Sequence, residues 1–240
     1  MKLLIVVTNV DHYTSGTPTG LWLSELTHMY HRASKHGYVI TIASPGGGNT
    51  PVDPESLKPA MLDRITRRYW ADESFRQELQ EVRSLEDLVD HAFDCVYLAG
   101  GHGTMYDFPR NTFLQQIIQD HYEKGKLIAA ICHGVSGLLH VKLSDGEYLL
   151  TNKKVTGFNW AEETLARRNK KVPFSLEAAL KKKTSRYSKT LIPMSSKVVT
   201  DGNLITGANP FSSKQIAKTV MKKLGAKKKK RRLFSKTTAK

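Results

Sequence analysis

Short apolar runs alternate with amphipathic stretches along most of this chain. The apolar runs contain few polar residues, as expected of strands that are covered on both faces of a sheet. They lie at residues 3–8, 38–44, 93–100 and 126–131. The intervening stretches with helical apolar spacing lie at residues 20–36, 112–124 and 212–224. This alternation predicts an α/β fold with a mostly parallel central sheet covered by helices.

Three regions are less regular. Residues 54–90 are polar and highly charged, which indicates a helical insertion after strand two that covers one side of the core. Residues 147–158 are predicted to contain extended segments, and two short helices are predicted near 161–168 and 175–182. Residues 198–207 have the pattern of a strand, a turn and a second strand. We expect one domain over residues 1–225.

Composition is ordinary for a globular protein. The chain has 240 residues, of which 40% are hydrophobic, and its mean hydropathy is −0.39. No apolar stretch approaches the roughly 20 residues that cross a bilayer, and the apolar start lacks the cleavage site of a signal peptide. Two cysteines in different contexts favour free thiols over a disulfide. We therefore expect a cytoplasmic protein without a membrane span.

The formal net charge of +15 is concentrated at one end of the chain. Residues 222–240 contain ten Lys or Arg and no acid, which leaves a charge of only +5 for the rest. We expect residues 226–240 to be a disordered basic tail. The cluster from Lys227 to Arg232 is predicted to bind polyanions weakly and in a salt-dependent way, and it also has the composition of a nuclear-import signal. A solvated tail that only aids solubility is the alternative.

Candidate chemistry centres on Cys132, which lies between Ile131 and His133 with Ala130 and Gly134 beyond them. A buried strand followed by a nucleophile between small residues is typical of a nucleophile elbow. A free thiol has a pKa of about 8.5, and a helix N-terminus with an adjacent imidazole lowers it. The sequence therefore predicts a reactive cysteine that is mainly thiolate at neutral pH. Cys95, inside a predicted strand, is interpreted as core.

A glycine-rich turn, Gly100 to Gly103, follows the strand that precedes the elbow strand. Ligands in parallel sheets bind beyond the carboxyl ends of the strands, where this turn and Cys132 are expected to meet. The N–H groups of Gly101 and Gly103 are predicted to form an anion or oxyanion site. His102 is expected to line the pocket, or else to be a structural turn residue. We predict no metal site and no cofactor, because the histidines are scattered without a two-histidine-and-carboxylate spacing.

Six groups of residues together resemble the DJ-1/PfpI superfamily over roughly residues 1–225. They lie at residues 20–25, 99–109, 130–134, 155–163, 172–177 and 206–210. The resemblance implies a three-layer, flavodoxin-like sandwich of the class I glutamine-amidotransferase-like type. Within the superfamily the motifs and the insertion are most similar to the heat-shock-protein-31-like branch called glyoxalase III.

The resemblance also implies roles for individual residues. Cys132 matches the nucleophile, and His133 matches the histidine of a catalytic triad. Glu25 matches an acid on the first helix that hydrogen-bonds the thiol and moves protons, although a solvent-facing position is its alternative. Glu163 matches the acid that orients the histidine, with Glu162 as competitor because a shift of one residue exchanges them.

The implied activity is the cofactor-independent conversion of methylglyoxal and related 2-oxoaldehydes to 2-hydroxy acids such as D-lactate, through a Cys132 hemithioacetal. The implied partners are a small 2-oxoaldehyde substrate and a second copy of the chain in a homodimer. Alternatives are a stress-related holding chaperone, a deglycase of proteins or nucleotides, and a redox sensor that uses the same cysteine. Glutamine amidotransfer is disfavoured, since no His-x-Glu pair follows His140.

Overall fold

The computed structural model describes residues 1–225, so the tail expected at 226–240, with its Lys227–Arg232 cluster, lies outside the described residues. The strands are β1 (Lys2–Val6), β2 (Val39–Ser44), β3 (Arg83–Ser84), β4 (Cys95–Leu98), β5 (Leu127–Ile131), β6 (Val198–Asp201) and β7 (Leu204–Gly207). The α-helices are α1 (Leu23–Lys35), α2 (Arg64–Ala71), α3 (Glu73–Glu78), α4 (Thr104–Asp107), α5 (Thr112–Glu123), α6 (Trp160–Leu165), α7 (Leu176–Lys183) and α8 (Ser213–Lys223). Short 3₁₀ helices lie at Pro54–Leu57, Glu86–Leu88, Cys132–Leu138 and Pro210–Ser212.

The strands form one seven-stranded sheet in the order β3-β2-β1-β4-β5-β7-β6. Every neighbouring pair is parallel except β6 and β7, which are antiparallel. The predicted α/β fold with a mostly parallel sheet is therefore confirmed. Strand order reverses between β1 and β4, and the crevice beyond the carboxyl ends of strands at such a point is where ligands bind in this type of sheet.

The central strands are the most apolar part of the chain because both of their faces are covered. Leu3–Val6 of β1, all of β4 and all of β5 are buried. Cys95 in β4 is fully buried, and burial raises the pKa of its thiol, in keeping with the predicted core position. Within residues 1–225, no helix combines the length and the apolar character that a membrane crossing requires.

Two regions differ from the sequence-based expectation. Residues 147–158 form no strand. They contain only two single-residue bridges, from Tyr148 to Lys142 and from Val155 to Tyr187. The predicted insertion contains α2 and α3, but it also contributes β3, which pairs with Ala43 and Ser44 of β2 at the sheet edge. A two-residue polar strand leaves no hydrophobic alternation in the sequence, so its pairing is decided by contact with β2.

Candidate active site

Cys132 occupies a tight turn between β5 and the 3₁₀ helix that it begins. Its φ of +55° is unusual for a residue with a side chain, and its side chain is 2% exposed. The following turn has no room for bulk: a Cβ at Gly134 would lie 2.6 Å from the carbonyl oxygen of Ala99. This backbone has the strained strand-to-helix geometry of a nucleophile elbow, where Gly134 permits close packing against β4.

A chain of short contacts runs from the thiol to a carboxylate. Cys132 Sγ lies 3.3 Å from His133 Nδ1, and His133 Nε2 lies 2.7 Å from Glu163 Oε2. The other oxygen of Glu163 lies 2.8 Å from His102 Nε2. Because an ionised carboxylate only accepts hydrogen bonds, both Nε2 atoms carry their ring proton, which leaves His133 Nδ1 as the acceptor beside the thiol.

Within this set of contacts, the surroundings keep the imidazole of His133 neutral and the carboxylate of Glu163 charged. Burial and the neighbouring His102 ring lower the pKa of His133 to about 4. Although burial alone would raise the pKa of Glu163, the two histidines hold it well below its usual value. At neutral pH the triad therefore pairs a neutral base with an ionised orienting acid, the arrangement that general-base activation of a nucleophile requires.

Glu162 has different surroundings from Glu163. Together with Asn159 it forms a capping box at the start of α6, and its Oε1 accepts hydrogen bonds from Met194 N at 2.8 Å and Asn209 Nδ2 at 2.7 Å. These contacts tie α6 to the segments around residues 194 and 209. The structure thus places Glu163 against His133 and leaves Glu162 as a buried anchor of the backbone.

Glu25 enters the site from the first turn of α1. It is fully buried, and its Oε2 accepts a 2.7 Å hydrogen bond from Gly100 N at the end of β4. Its Oε1 has no hydrogen-bond partner among residues 1–225. Burial raises the pKa of Glu25 to about 8, with Gly100 and Cys132 offsetting part of that effect. A solvent-facing position is excluded, and the carboxyl is mainly protonated at neutral pH.

The predicted thiolate is wrong for this structure. Burial raises the pKa of Cys132 well above its usual value, and negative charge on Glu25 raises it further. An adjacent imidazole lowers the pKa of a thiol when it is positively charged, whereas buried His133 is neutral. The thiol is therefore protonated in the unliganded site, and a thiolate forms only as the proton moves to a neighbouring group.

Gly101 and Gly103 of the glycine turn have different surroundings. Gly101 has a φ of +113° and a Cβ there would overlap Gly20 O, so only glycine fits between this turn and the segment that leads into α1. Gly101 and His102 line the cavity above Cys132. Gly103 does not: it packs against the segment that follows β1, where a Cβ would lie 2.7 Å from Val10 O. The sequence predicted both glycines at the anion site, because their closeness in the chain did not show which of them faces the cavity.

The cavity has a volume of about 250 Å³. This is enough space for a small substrate together with solvent. Residues that the sequence did not single out supply much of its wall; they are Trp22, Asp53, Glu55, Met61, Phe158, Ala166, Arg168, Met194, Pro210 and Phe211. They come from segments far apart in the chain, and only Trp22, Phe158 and Pro210 fall within motifs noted above.

One cluster runs against the expectation from spacing. His102, His133 and Glu163 bring two imidazoles and a carboxylate together, with one possible ligand atom from each within 4.8 Å of the others. This donor set suits a divalent cation as well as a proton relay. In the structure each Nε2 atom is hydrogen-bonded to one oxygen of Glu163. These hydrogen bonds already occupy the four atoms, as a proton relay requires.

Known proteins match nearly the whole chain. The model of the DJ-1/PfpI family matches residues 20–223. Glyoxalase 3 of Candida albicans is 29% identical over 232 residues, which cover 92% of this chain and 97% of that protein. The predicted resemblance, including its glyoxalase III branch, is confirmed.

Solved structures share the fold. The Rapid Encystment Protein 24 KDa of Francisella tularensis superposes with a TM-score of 0.87 at 37% identity, covering 93% of this chain and 98% of that one. Glyoxalase III from Candida albicans superposes with a TM-score of 0.81 at 28% identity, covering 92% of this chain and 96% of that one. With a family model spanning most of its length, this chain belongs to the DJ-1/PfpI family.

Proposed function

We propose that this chain is a glutathione-independent glyoxalase that converts methylglyoxal and related 2-oxoaldehydes to 2-hydroxy acids such as D-lactate. The observation that carries the proposal is the linked set of thiol, neutral imidazole and carboxylate, joined by contacts of 3.3 Å and 2.7 Å beneath one cavity. Relatives named as glutathione-independent glyoxalases match 90% or more of this chain, which supports the same reaction.

The first step forms a covalent adduct. Cys132 passes its proton to His133 Nδ1 as the sulfur attacks the aldehyde carbon C1. The resulting imidazolium is stabilised by Glu163 and returns the proton to the aldehyde oxygen O1, which gives a neutral hemithioacetal. Because the resting thiol is protonated, proton transfer and attack belong to the same step.

The second step moves hydrogen between neighbouring carbons. The proton on C1 leaves, an enediol-like intermediate forms, and C2 is reprotonated to give a thioester that water hydrolyses to the 2-hydroxy acid. Backbone N–H groups near Gly101 and His133 stabilise negative charge on the oxygens. Protonated Glu25 donates a hydrogen bond to the sulfur or to the intermediate, as its raised pKa permits.

The test is lactate formation from methylglyoxal without added glutathione, by the unchanged chain and by Cys132→Ser. Cys95→Ala is the matched control, since Cys95 is equally buried but lies within β4. We expect D-lactate from the unchanged chain and from Cys95→Ala, and none above background from Cys132→Ser. Loss of aldehyde without lactate would contradict the proposal and point to simple adduct formation, as in the chaperone or redox-sensor alternatives.

We also propose that the enzyme is a cytoplasmic homodimer. Apolar side chains that are unusually exposed in the isolated chain support a second copy as partner; they are Leu165 at 63%, Leu191 at 97%, Ile192 at 71% and Phe211 at 50% exposed. Sedimentation equilibrium tests the assembly, and a mass equal to the 26.9 kDa of one chain would contradict it.

A further inference from the structure

Glu163 holds two imidazoles in the same manner. His133 and His102 approach opposite oxygens of its carboxylate at 2.7 Å and 2.8 Å, each through Nε2. The two rings lie 4.1 Å apart between centroids and are inclined by 38°. Both histidines are buried, at 1% and 4% exposure. One carboxylate therefore fixes two adjacent rings in the same tautomer, with Nδ1 of each left as an acceptor.

Only one of these two acceptors has a partner. Nδ1 of His133 contacts the thiol of Cys132, whereas Nδ1 of His102 is buried and makes no hydrogen bond within residues 1–225. Buried acceptors are rarely left unpaired, because their lost contact with water is not replaced. His102 lines the same cavity as Cys132, so a molecule bound there is the natural source of the missing partner.

The proposed reaction also moves the proton on C1, to which no base has yet been assigned. His133 handles the proton of the thiol, and Glu25 is mainly protonated at neutral pH. The other acids of the cavity wall are engaged: Asp53 accepts from Thr19 Oγ1 and from its own 3₁₀ helix, and Glu55 pairs with Lys58. Among the described residues that line the cavity, His102 is the remaining group with a free basic nitrogen.

We propose that His102 is a catalytic base that carries one proton from C1 to C2 of the Cys132 hemithioacetal; this rests on the glyoxalase function proposed above. The C1–H bond breaks, its proton goes to His102 Nδ1, and its electron pair forms the C1=C2 bond while the carbonyl pair moves onto O2. The same proton then adds to C2. The O1–H proton passes to O2, so C1 ends as a thioester carbonyl, oxidised at the expense of C2 without an outside reagent.

The test uses methylglyoxal deuterated at C1 in ordinary water, with deuterium at C2 of lactate and the enantiomer ratio as readouts. The unchanged chain should retain part of the deuterium, because a nearly buried base exchanges slowly with solvent, and it should give one enantiomer. Complete loss of deuterium would overturn the proposal. This measurement needs no variant, so it remains decisive even if substitutions at His102 prevent folding.

His102→Gln separates catalysis from positioning. Its amide nitrogen replaces Nε2 as donor to Glu163, but nothing replaces the basic Nδ1. We expect kcat to fall by about 100-fold or more, deuterium retention to vanish and the lactate to approach a racemate, while iodoacetamide alkylates Cys132 at nearly the normal rate. An unchanged kcat, or alkylation slowed as much as kcat, would overturn the proposal, the latter because His102 would then act only through Glu163.

Tyr13→Phe is the matched control. The Tyr13 hydroxyl is also buried without a partner among the described residues, and its ring lies 5.5 Å from that of His102. We expect deuterium retention to be unaffected by this change. If Tyr13→Phe lost as much deuterium retention as His102→Gln, the Tyr13 hydroxyl would be the partner of His102 Nδ1, and the proposal would be overturned. Absence of lactate from the unchanged chain would instead refute the glyoxalase function itself.

Discussion

The backbone N–H of Gly100 donates a 2.7 Å hydrogen bond to Glu25, which fixes the acid of α1 at the carboxyl end of β4. The space between them is closed to any side chain. A Cβ at Gly100 would lie 2.5 Å from Glu25 Oε2, 2.7 Å from Ile131 O and 3.0 Å from Cys132 Cβ. Gly100 therefore sets how closely the acid and the nucleophile approach each other.

Gly100→Ala is expected to lower kcat for lactate formation by about 100-fold, because the added methyl group displaces both Glu25 and Cys132 from their positions. It should also cost about 1–3 kcal/mol of unfolding free energy through overpacking. Gly46→Ala is the control, since a Cβ there meets only Asn9 Oδ1, at 3.5 Å. Equal effects of the two substitutions on kcat would contradict this account.

The pH dependence of kcat/KM should show a plateau between about 4 and about 8. Below the pKa of about 4, His133 becomes protonated and no longer accepts the proton of the thiol. Above the pKa of about 8, Glu25 ionises, and its negative charge opposes formation of the thiolate. A pH–rate profile tests both limbs. In Glu25→Gln the residual activity should lack the alkaline limb, and a persistent fall near pH 8 would refute the assignment.

Glu25→Gln should also change how stability depends on pH. The unfolded carboxyl ionises near 4.5, whereas the folded one keeps its proton until about 8, so the native state loses stability as pH rises between these values. The integrated loss is on the order of 3–5 kcal/mol. Gln does not titrate, so this loss is absent from the variant. The unfolding free energy of Glu25→Gln relative to that of the unchanged chain should therefore be higher at pH 8 than at pH 4. Urea unfolding at both pH values measures this, and a pH-independent difference would contradict it.

Glu163→Gln and Glu162→Gln should separate activity from stability. In the first, the amide turns an NH₂ group toward one of the two imidazoles, so kcat should fall by about 100-fold or more with a modest stability change. In the second, the NH₂ group faces donors such as Met194 N, which should cost about 1–3 kcal/mol with kcat nearly unchanged. Steady-state kinetics and thermal melts of both variants test this. The reverse pattern would make Glu162 the orienting acid and Glu163 the structural anchor.

Much of the fold follows from local patterns. The apolar run before Cys132 predicts β5 because a strand buried on both faces tolerates few polar residues. Small residues around the cysteine predict the elbow, since the turn excludes bulk at Gly134. The motif that begins at Gly20 pointed to Glu25 as a functional acid, and the carboxyl indeed lies buried beside the end of β4.

What the sequence by itself determined is therefore the order of most strands and helices along the chain and Cys132 as the candidate nucleophile, because these follow from residue type and short-range spacing. The roles expected of Glu25, His133 and Glu163 came from the family resemblance. Tertiary structure decided which of two adjacent acids meets His133, since neighbouring helical positions point about 100° apart. It also joined His102 to Glu163 and left the Cys132 thiol protonated. Both depend on burial and on contacts between distant segments, and a buried ionisable group takes its charge state from all the groups around it.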